Sequence, residues 1–577
     1  MIIIKGIPAS PGIAIGKVYL FEDEVAVEHR EISREQAKLE VKRFKDAVKM
    51  TLTDLDATEA KVLHMLGKQH ARLIEAHRLI LKDPLITQEV ARIINDKLYN
   101  AEFALSETLE RVNKNFEKID DEFFRERRHD LFDVGKRLLR HLTRQERKKL
   151  VQSSEPAIVV AHNLYPSDTL HMRESHIAGF CTDIGGKTSH TALLAQSMEL
   201  PAVVGLSDIT KQVKNGELMI VDGEQGLVIV NPGPEALDKY QKLQRQVRQA
   251  EKYLEKIKDL PSVTRDGRGV EVFLNLDVME DPAPFAALKP DGIGLVRTES
   301  LYMNRKQAPG EDEQCQLYQR LVKSFSNVPV VIRLADLGGD KLAELGFDTS
   351  EKETNPFLGL RGIRLLLRHP DLLKTQMRAL LRATAHGDLK IMIPMVTSLS
   401  EVMGVRQVME EAKAELVQEK IKVGRMPELG IMVEIPAAAL TLDTLLSEAD
   451  FVSVGTNDLI QYLLAVDRIN QHVAHIYDSL HPAVLRLLQL VIQSTHKKGK
   501  KVSLCGEMAS DHRTAPLLAG MGLDTFSVTP RMFLRVKHTV RSISFAKSSL
   551  LSQTALMLPT CEEVHKLVAA AQTNENA

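Results

Sequence analysis

After Pro261 the sequence settles into a repeat that few folds can accommodate. Short apolar segments alternate with helix-patterned ones as far as residue 572. Eight candidate strands stand out: VEVFLNLD, GIGLVR, VPVVIRLAD, LKIMIPMV, ELGIMVEIP, FVSVGTND, KVSLCGE and DTFSVTP. Eight strand–helix repeats predict a (β/α)8 barrel over 261–572. Beyond it, 573–577 is expected to fray, and Thr560 with Glu563 is expected to form a capping box opening the last helix.

Barrel enzymes carry their chemistry at the C-terminal ends of the strands, so the residues closing each segment belong together. They are Arg297, Arg333, Glu434, Asn457, Asp458 and Cys505, with Arg361 and Arg364 in NPFLGLRGIR. Any one alone reads as an ordinary surface residue, and Cys505 alone as inert core. Together they make a chemical set. Several guanidinium groups suit an anion bearing phosphate and carboxylate, which they can grip bidentately. Two carboxylates suit a hard divalent ion, Mg²⁺ above all, which keeps waters and takes substrate oxygens. A cysteine on the same face can serve as proton donor or nucleophile.

The first part of the chain has a different texture. Residues 1–22 and 148–232 carry short apolar strands punctuated by Gly and Pro, predicting an α/β domain. Between them, 23–147 is charged, nearly free of Gly and Pro, and apolar at three- and four-residue spacing. This predicts an inserted block of α-helical hairpins. The stretch 233–260 is a polar helix-former with charges at i,i+4, expected to be a connector.

Lys plus Arg number 76 against 77 Asp plus Glu, which argues against a nucleic-acid or polybasic membrane surface. The four cysteines, Cys181, Cys315, Cys505 and Cys561, have no metal-ligand spacing and read as reduced cytosolic thiols. No apolar run approaches the ~20 residues that span a bilayer. The N-terminal MIIIKGIPASPG lacks a basic leader and reads as mature protein.

One more stretch carries chemistry: TDIGGKTSHTALLAQSMELPAVVG, residues 182–205. A strand runs into Gly185–Gly186 and then a helix pattern, with Thr188 or Ser189 as N-cap and His190 in the first turn. Unpaired N–H groups there lower an imidazole pKa and favour a dianionic phosphoryl group on the ring. The position suits a neutral nucleophile held afterwards as phosphohistidine. A metal-ligand role is weaker, since no second His or Cys follows at ligand spacing.

GGKTSHTALLAQSMELPAVVG resembles the phosphohistidine signature of the phosphoenolpyruvate-utilising enzymes. With GIGLVRTE, LGGDK, NPFLGLRGIR, VEIPAA, VGTNDLIQYLLAVDR and LCGEMA in this order, nearly the whole chain resembles the enzyme I family of the bacterial sugar phosphotransferase system. The resemblance implies that His190 accepts the phosphoryl group of phosphoenolpyruvate and passes it to the carrier protein HPr. It implies substrate-binding roles for Arg297, Arg333, Asn457 and Arg468, and also Lys341 and Arg361. It further implies Mg²⁺ on Glu434 and Asp458, Cys505 protonating the pyruvate enolate, and Thr169 touching the phosphorylated ring. The helical block would dock HPr, the barrel would mediate homodimerisation, and the His190 domain would swing between barrel and carrier.

The chain departs from the family pattern at Lys187 (often Arg), Ser300 (Phe), and Leu334 with Ala335 (Thr and a large apolar residue). These departures bear on rate and carrier choice. Three alternatives stand beside this reading. Pyruvate phosphate dikinase and phosphoenolpyruvate synthase need an ATP-grasp domain whose loops are not seen. A nitrogen-type enzyme I normally carries an N-terminal sensory domain, whereas this chain starts directly at the phosphotransferase; a paralogue serving another HPr-like carrier stays open. A regulatory scaffold without turnover would not need the retained Arg, Glu, Asp, Cys and His.

Overall fold

The computed structural model describes residues 1–21, 27–66, 77–116, 122–143, 156–164, 177–186, 191–192, 195, 198, 200–303, 305, 307–338, 355–468, 470 and 472–575. The chain divides into two compact units, Met1–Gln249 and Ala250–Ala577.

The first unit is built on strands β1 (Ile2–Lys5), β2 (Ile7–Ser10), β3 (Ile13–Phe21), β4 (Ala157–Ala161), β5 (Ile177–Thr182), β6 (Ala202–Val204), β7 (Leu218–Asp222) and β8 (Leu227–Val230). They form one sheet in the order β1-β8-β7-β3-β4-β5-β6-β2. Strands β3 to β6 run parallel, while β1, β2, β7 and β8 add antiparallel edges. Alternation along the central strands divides the core in two. Val18, Ile158, Val160, Cys181 and Val203 pack on one face. Phe21, Val159, Ala161, Phe180 and Ala202 pack on the other. Such two-sided burial explains why AIVVA reads as a continuous apolar run.

The helical block is the crossover between two neighbouring parallel strands, since Phe21 of β3 pairs with Ala161 of β4. Its described helices are Arg34–Leu66, Pro84–Lys97, Ala101–Phe116 and Glu122–Thr143. Phe44, Leu55, Val90, Leu105 and Leu138 give them a core of their own. Ser33 and Gln36 cap the first helix reciprocally, Ser33 N–H donating to Gln36 Oε1 at 2.9 Å and Gln36 N–H to Ser33 Oγ at 3.3 Å. Arg43 ties three of the helices together through Glu40, Glu102 and the Leu142 carbonyl.

A single helix, Pro234–Ile257, covers most of the expected connector. The barrel follows: β9 (Glu271–Asp277), β10 (Gly292–Arg297), β11 (Val330–Arg333), β12 (Leu389–Ile393), β13 (Leu429–Val433), β14 (Val452–Val454), β15 (Val502–Leu504) and β16 (Thr525–Val528). All neighbours are parallel and β16 pairs back to β9, closing the ring. Each of the eight apolar segments supplies one strand. Residues such as Val272, Leu274, Val452 and Val454 face the surrounding helices in the large outer core. Leu295, Val331, Met392, Met432 and Cys505 form a small cluster of their own.

The last helix, Cys561–Glu575, continues three residues into the stretch expected to fray. Only half of the expected box is present there: Glu563 N–H donates to Thr560 Oγ1 at 3.3 Å, while the threonine hydroxyl itself donates to Glu563 Oε2. A complete box, like that of Ser33 and Gln36, is formed instead at Ser398 and Glu401. No described helix is long and apolar enough to cross a membrane.

Candidate active site

The C-terminal ends of the strands open onto a cleft of about 340 Å³. Arg297 and Arg333 close β10 and β11, Glu434 follows β13, and Cys505 follows β15. Asn457 and Asp458 lie in the first turn of the helix Thr456–Leu464, directly after β14. Arg361 and Arg468 reach the same cleft from loops. Arg364 does not line it; one residue into the helix Ile363–Arg368, it departs from the expected set.

Three of the four arginines are already held by carboxylates. Arg333 donates to Glu299 Oε1 at 2.9 Å, and its Nη1 lies 3.8 Å from Asp336 Oδ2. Arg361 donates to both oxygens of Asp336, at 3.2 and 2.7 Å, and Nη2 lies 3.4 Å from Asp458 Oδ2. Arg468 stands 3.7 Å from Glu507 Oε1. Burial by itself would favour neutral Arg333, yet Glu299, Asp336 and Glu434 together carry its pKa further above the ordinary guanidinium value. The site is thus a lattice of alternating charge.

Glu434 is 2 % exposed and accepts one hydrogen bond, from Met395 N–H at 2.6 Å. Met395 makes that donation from the left-handed region, at φ 57°. A Cβ on the facing Gly362, also at φ 57°, would lie 2.8 Å from Met395 Cβ, so glycine lets the two turns touch. Burial, and then the charges of Asp336 and Asp458, push the Glu434 carboxyl up to about 8 against the opposing pull of Arg333. A carboxylate so disfavoured beside Asp458 is what a divalent cation would stabilise, and the pair fits one. Among the described residues no cluster of three or more His, Cys, Asp and Glu forms a cage, which leaves the other positions to water and ligand oxygens.

Cys505 is buried, with its backbone N–H donating to the Val454 carbonyl and its thiol 3.6 Å from the same oxygen. Burial pushes the thiol up, against the lowering influence of Ser453, Arg333 and Arg297. It is held protonated, as a proton donor must be. Asn457 and Glu507 exchange hydrogen bonds, Glu507 N–H to Asn457 Oδ1 at 2.9 Å and Asn457 Nδ2 to Glu507 Oε1 at 3.2 Å. Tyr477, whose phenol burial raises to about 12, donates to the Asn457 carbonyl.

Sequence reasoning missed Glu299, Asp336 and Glu507. All three sit inside segments already quoted, RTE, VPVVIRLAD and KVSLCGE, and a search for the counter-charges of the arginines would have found them. His190, Thr169, Lys341 and Lys187 lie outside the described residues. The unusual Ser300 donates to Asp277 Oδ1 at 2.6 Å, at the end of β9. Leu334 and Ala335 are fully buried, and Ala335 N–H donates to Gln376 Oε1.

Three regions of the chain match domains of phosphoenolpyruvate-utilising enzymes: the N-terminal domain over 5–127, the mobile domain over 153–226, and the phosphoenolpyruvate-binding domain over 251–545. The chain belongs to the phosphoenolpyruvate-utilising enzymes. Curated relatives called phosphoenolpyruvate-protein phosphotransferase include those of Bacillus sp. (strain S), 42% identical over 98% of this chain and 97% of that protein, and of Geobacillus stearothermophilus, 41% identical with the same coverage. The Bacillus subtilis (strain 168) protein is 41% identical over 97% of this chain and 98% of its own. Within the family, the barrel mouth described above falls in the phosphoenolpyruvate-binding domain.

Proposed function

We infer that this chain is a phosphoenolpyruvate-protein phosphotransferase, moving the phosphoryl group of phosphoenolpyruvate to its own His190 and then to a histidine of HPr. The observation that carries the reading is the barrel mouth, where four guanidinium groups, the Glu434 and Asp458 carboxylates and a protonated thiol converge. That set suits the chemistry of phosphoenolpyruvate, which offers anionic oxygens to the arginines and a carbon that must gain a proton.

Phosphoryl transfer asks a protein mainly for positioning and charge neutralisation. Arg297, Arg333, Arg361 and Arg468, with Lys341, take the phosphate and carboxylate, and Asn457 helps orient them. Bound to Glu434 and Asp458, Mg²⁺ would supply electrostatic neutralisation of substrate oxygens. The bond from phosphorus to the enol oxygen breaks as one forms to the His190 imidazole, with Thr169 beside the ring. The enolate left behind takes a proton at its methylene carbon from the Cys505 thiol, and pyruvate results. Removal of the enolate in this way draws the transfer forward. The helical block receives HPr, the barrels pair as a homodimer, and the enzyme works in the cytoplasm.

Incubation with labelled phosphoenolpyruvate and Mg²⁺, comparing wild type with His190→Ala, tests the reading. An acid-labile, base-stable label on His190, chased onto HPr with pyruvate released, is the expected result. A folded wild type that binds substrate but takes no label overturns it in favour of a binding scaffold.

A further inference from the structure

The Ser453 hydroxyl is fully buried and has no aligned hydrogen-bond partner among the described residues. An orphaned polar group in a barrel interior is costly, and one on a functional strand calls for a use. Its neighbours on β14, Val452 and Val454, pack outward into the helix layer, so the alternation of the strand turns Ser453 inward. There it pairs in register with Met432 of β13 and Ser503 of β15. The Ser503 hydroxyl is satisfied by the Val452 carbonyl at 3.3 Å. Cys505 lies two residues beyond Ser503 on the same inward face, with its N–H on the Val454 carbonyl and its side chain packed on Met432, so its thiol is the diagonal neighbour of Ser453. The hydroxyl biases that thiol towards the thiolate.

The geometry explains why the hydroxyl is idle at rest. The neutral thiol faces the Val454 carbonyl at 3.6 Å and carries its own proton, so it is a poor acceptor for a second donor. Once that proton has gone to carbon, the sulfur is an anion in an apolar pocket beside Leu295, Val331, Met392 and Met432. Arg333 and Arg297 favour that anion and Glu434 opposes it. A neutral donor poised against sulfur would then form a charge-assisted hydrogen bond that did not exist before.

We propose that Ser453 is a positioning residue for proton delivery by Cys505, its O–H donating to the sulfur only after the thiol proton has left. This rests on the role given to Cys505 above. In the step, the S–H bond breaks and a C–H bond forms at the enolate carbon. The electron pair stays on sulfur, and the serine keeps its own proton. Water restores the thiol after pyruvate leaves.

The test compares wild type, Ser453→Ala, Ser503→Ala and Cys505→Ala. Cys505 alkylation by iodoacetamide is mapped against pH, pyruvate formation is followed in a single turnover in H₂O and D₂O, and thermal unfolding is recorded. For Ser453→Ala we expect the alkylation profile to move up by about one pH unit. Pyruvate formation should slow about 10-fold or more, with a larger solvent isotope effect. Its melting temperature should hold or rise, because an unsatisfied group has been removed. Ser503→Ala should leave the alkylation profile and pyruvate formation unchanged. An unmoved profile and rate in Ser453→Ala overturn the proposal, as does a loss that Ser503→Ala shares together with a lowered melting temperature. Cys505→Ala forming pyruvate at the wild-type rate is a separate outcome, which removes Cys505 from the reading itself.

Discussion

Asp336 holds Arg361 by both of its oxygens, Nε donating to Oδ1 at 3.2 Å and Nη2 to Oδ2 at 2.7 Å, with the two side chains 5% and 13% exposed. The same carboxylate lies 3.8 Å from Arg333. One buried acid therefore fixes two guanidinium groups that reach the cleft from β11 and from the loop before the helix Ile363–Arg368.

Asp336→Asn should cost both geometry and stability. An amide cannot accept the whole fork, and it leaves positive charge poorly compensated in a buried setting. Arg361 keeps Asp458 as a second partner, so about 3 kcal/mol of destabilisation is expected rather than more. The KM for phosphoenolpyruvate should rise about 10-fold or more as the fork loses its orientation. Urea unfolding and initial rates check this; unchanged midpoint and KM together would mean that Glu299 and Asp458 suffice.

The raised Glu434 carboxyl makes cation binding pH-dependent. With its group at about 8, Glu434 must lose a proton to ligate, so Mn²⁺ or Mg²⁺ affinity should climb as pH rises towards 8 and level off above it. Stability of the metal-free protein should run the other way. The folded state holds this proton more tightly than the unfolded one, so the contribution is full below the ordinary glutamate value and is lost as pH rises through about 8. Glu434→Gln should flatten the stability profile. Calorimetric titration in buffers of different ionisation enthalpy counts the proton released; none at pH 6 would refute the scheme.

The barrel was legible because its period is written in hydrophobicity: eight apolar runs recur, most of them giving way to polar residues as VSVGTND does. The helical block was equally plain from its spacing and its shortage of Gly and Pro. What escaped was the pairing of charges across loops. Asp336 and Arg361 are 25 residues apart, and nothing in the local pattern of either says they will meet. Arg364 misled for the converse reason: it lies three residues from Arg361 but enters a helix that does not line the cleft. Ser453 was invisible because its significance is the absence of a partner, which appears only once the barrel has closed.

Thiol reactivity should separate the four cysteines. Cys181, Cys315 and Cys505 are buried, whereas Cys561 is half-exposed at the start of the last helix. A bulky aromatic disulfide reagent should therefore titrate one thiol of the native protein quickly and the other three on unfolding. Rapid loss of two or more native thiols would contradict the burial, and Cys561→Ser should abolish the fast phase.

Gly506 sets the distance between β15 and the helix after β14. Its φ of −76° suits any residue, so its role is one of space rather than backbone freedom. A Cβ there would lie 1.9 Å from Thr456 Oγ1 and 2.7 Å from Thr456 N, and backbone cannot yield that far. Gly506→Ala must push Cys505 and Glu507 away from Asn457, costing about 1–3 kcal/mol of stability by overpacking. Displacements of about 1 Å among reacting groups cost on the order of 100-fold in rate, so kcat should fall by that much while far-UV dichroism stays native. Adding Thr456→Ala removes the 1.9 Å clash but not the 2.7 Å one, so the double variant should regain part of the lost stability. If Gly506→Ala were as stable and active as wild type, the contact between these loops would have to be looser than described.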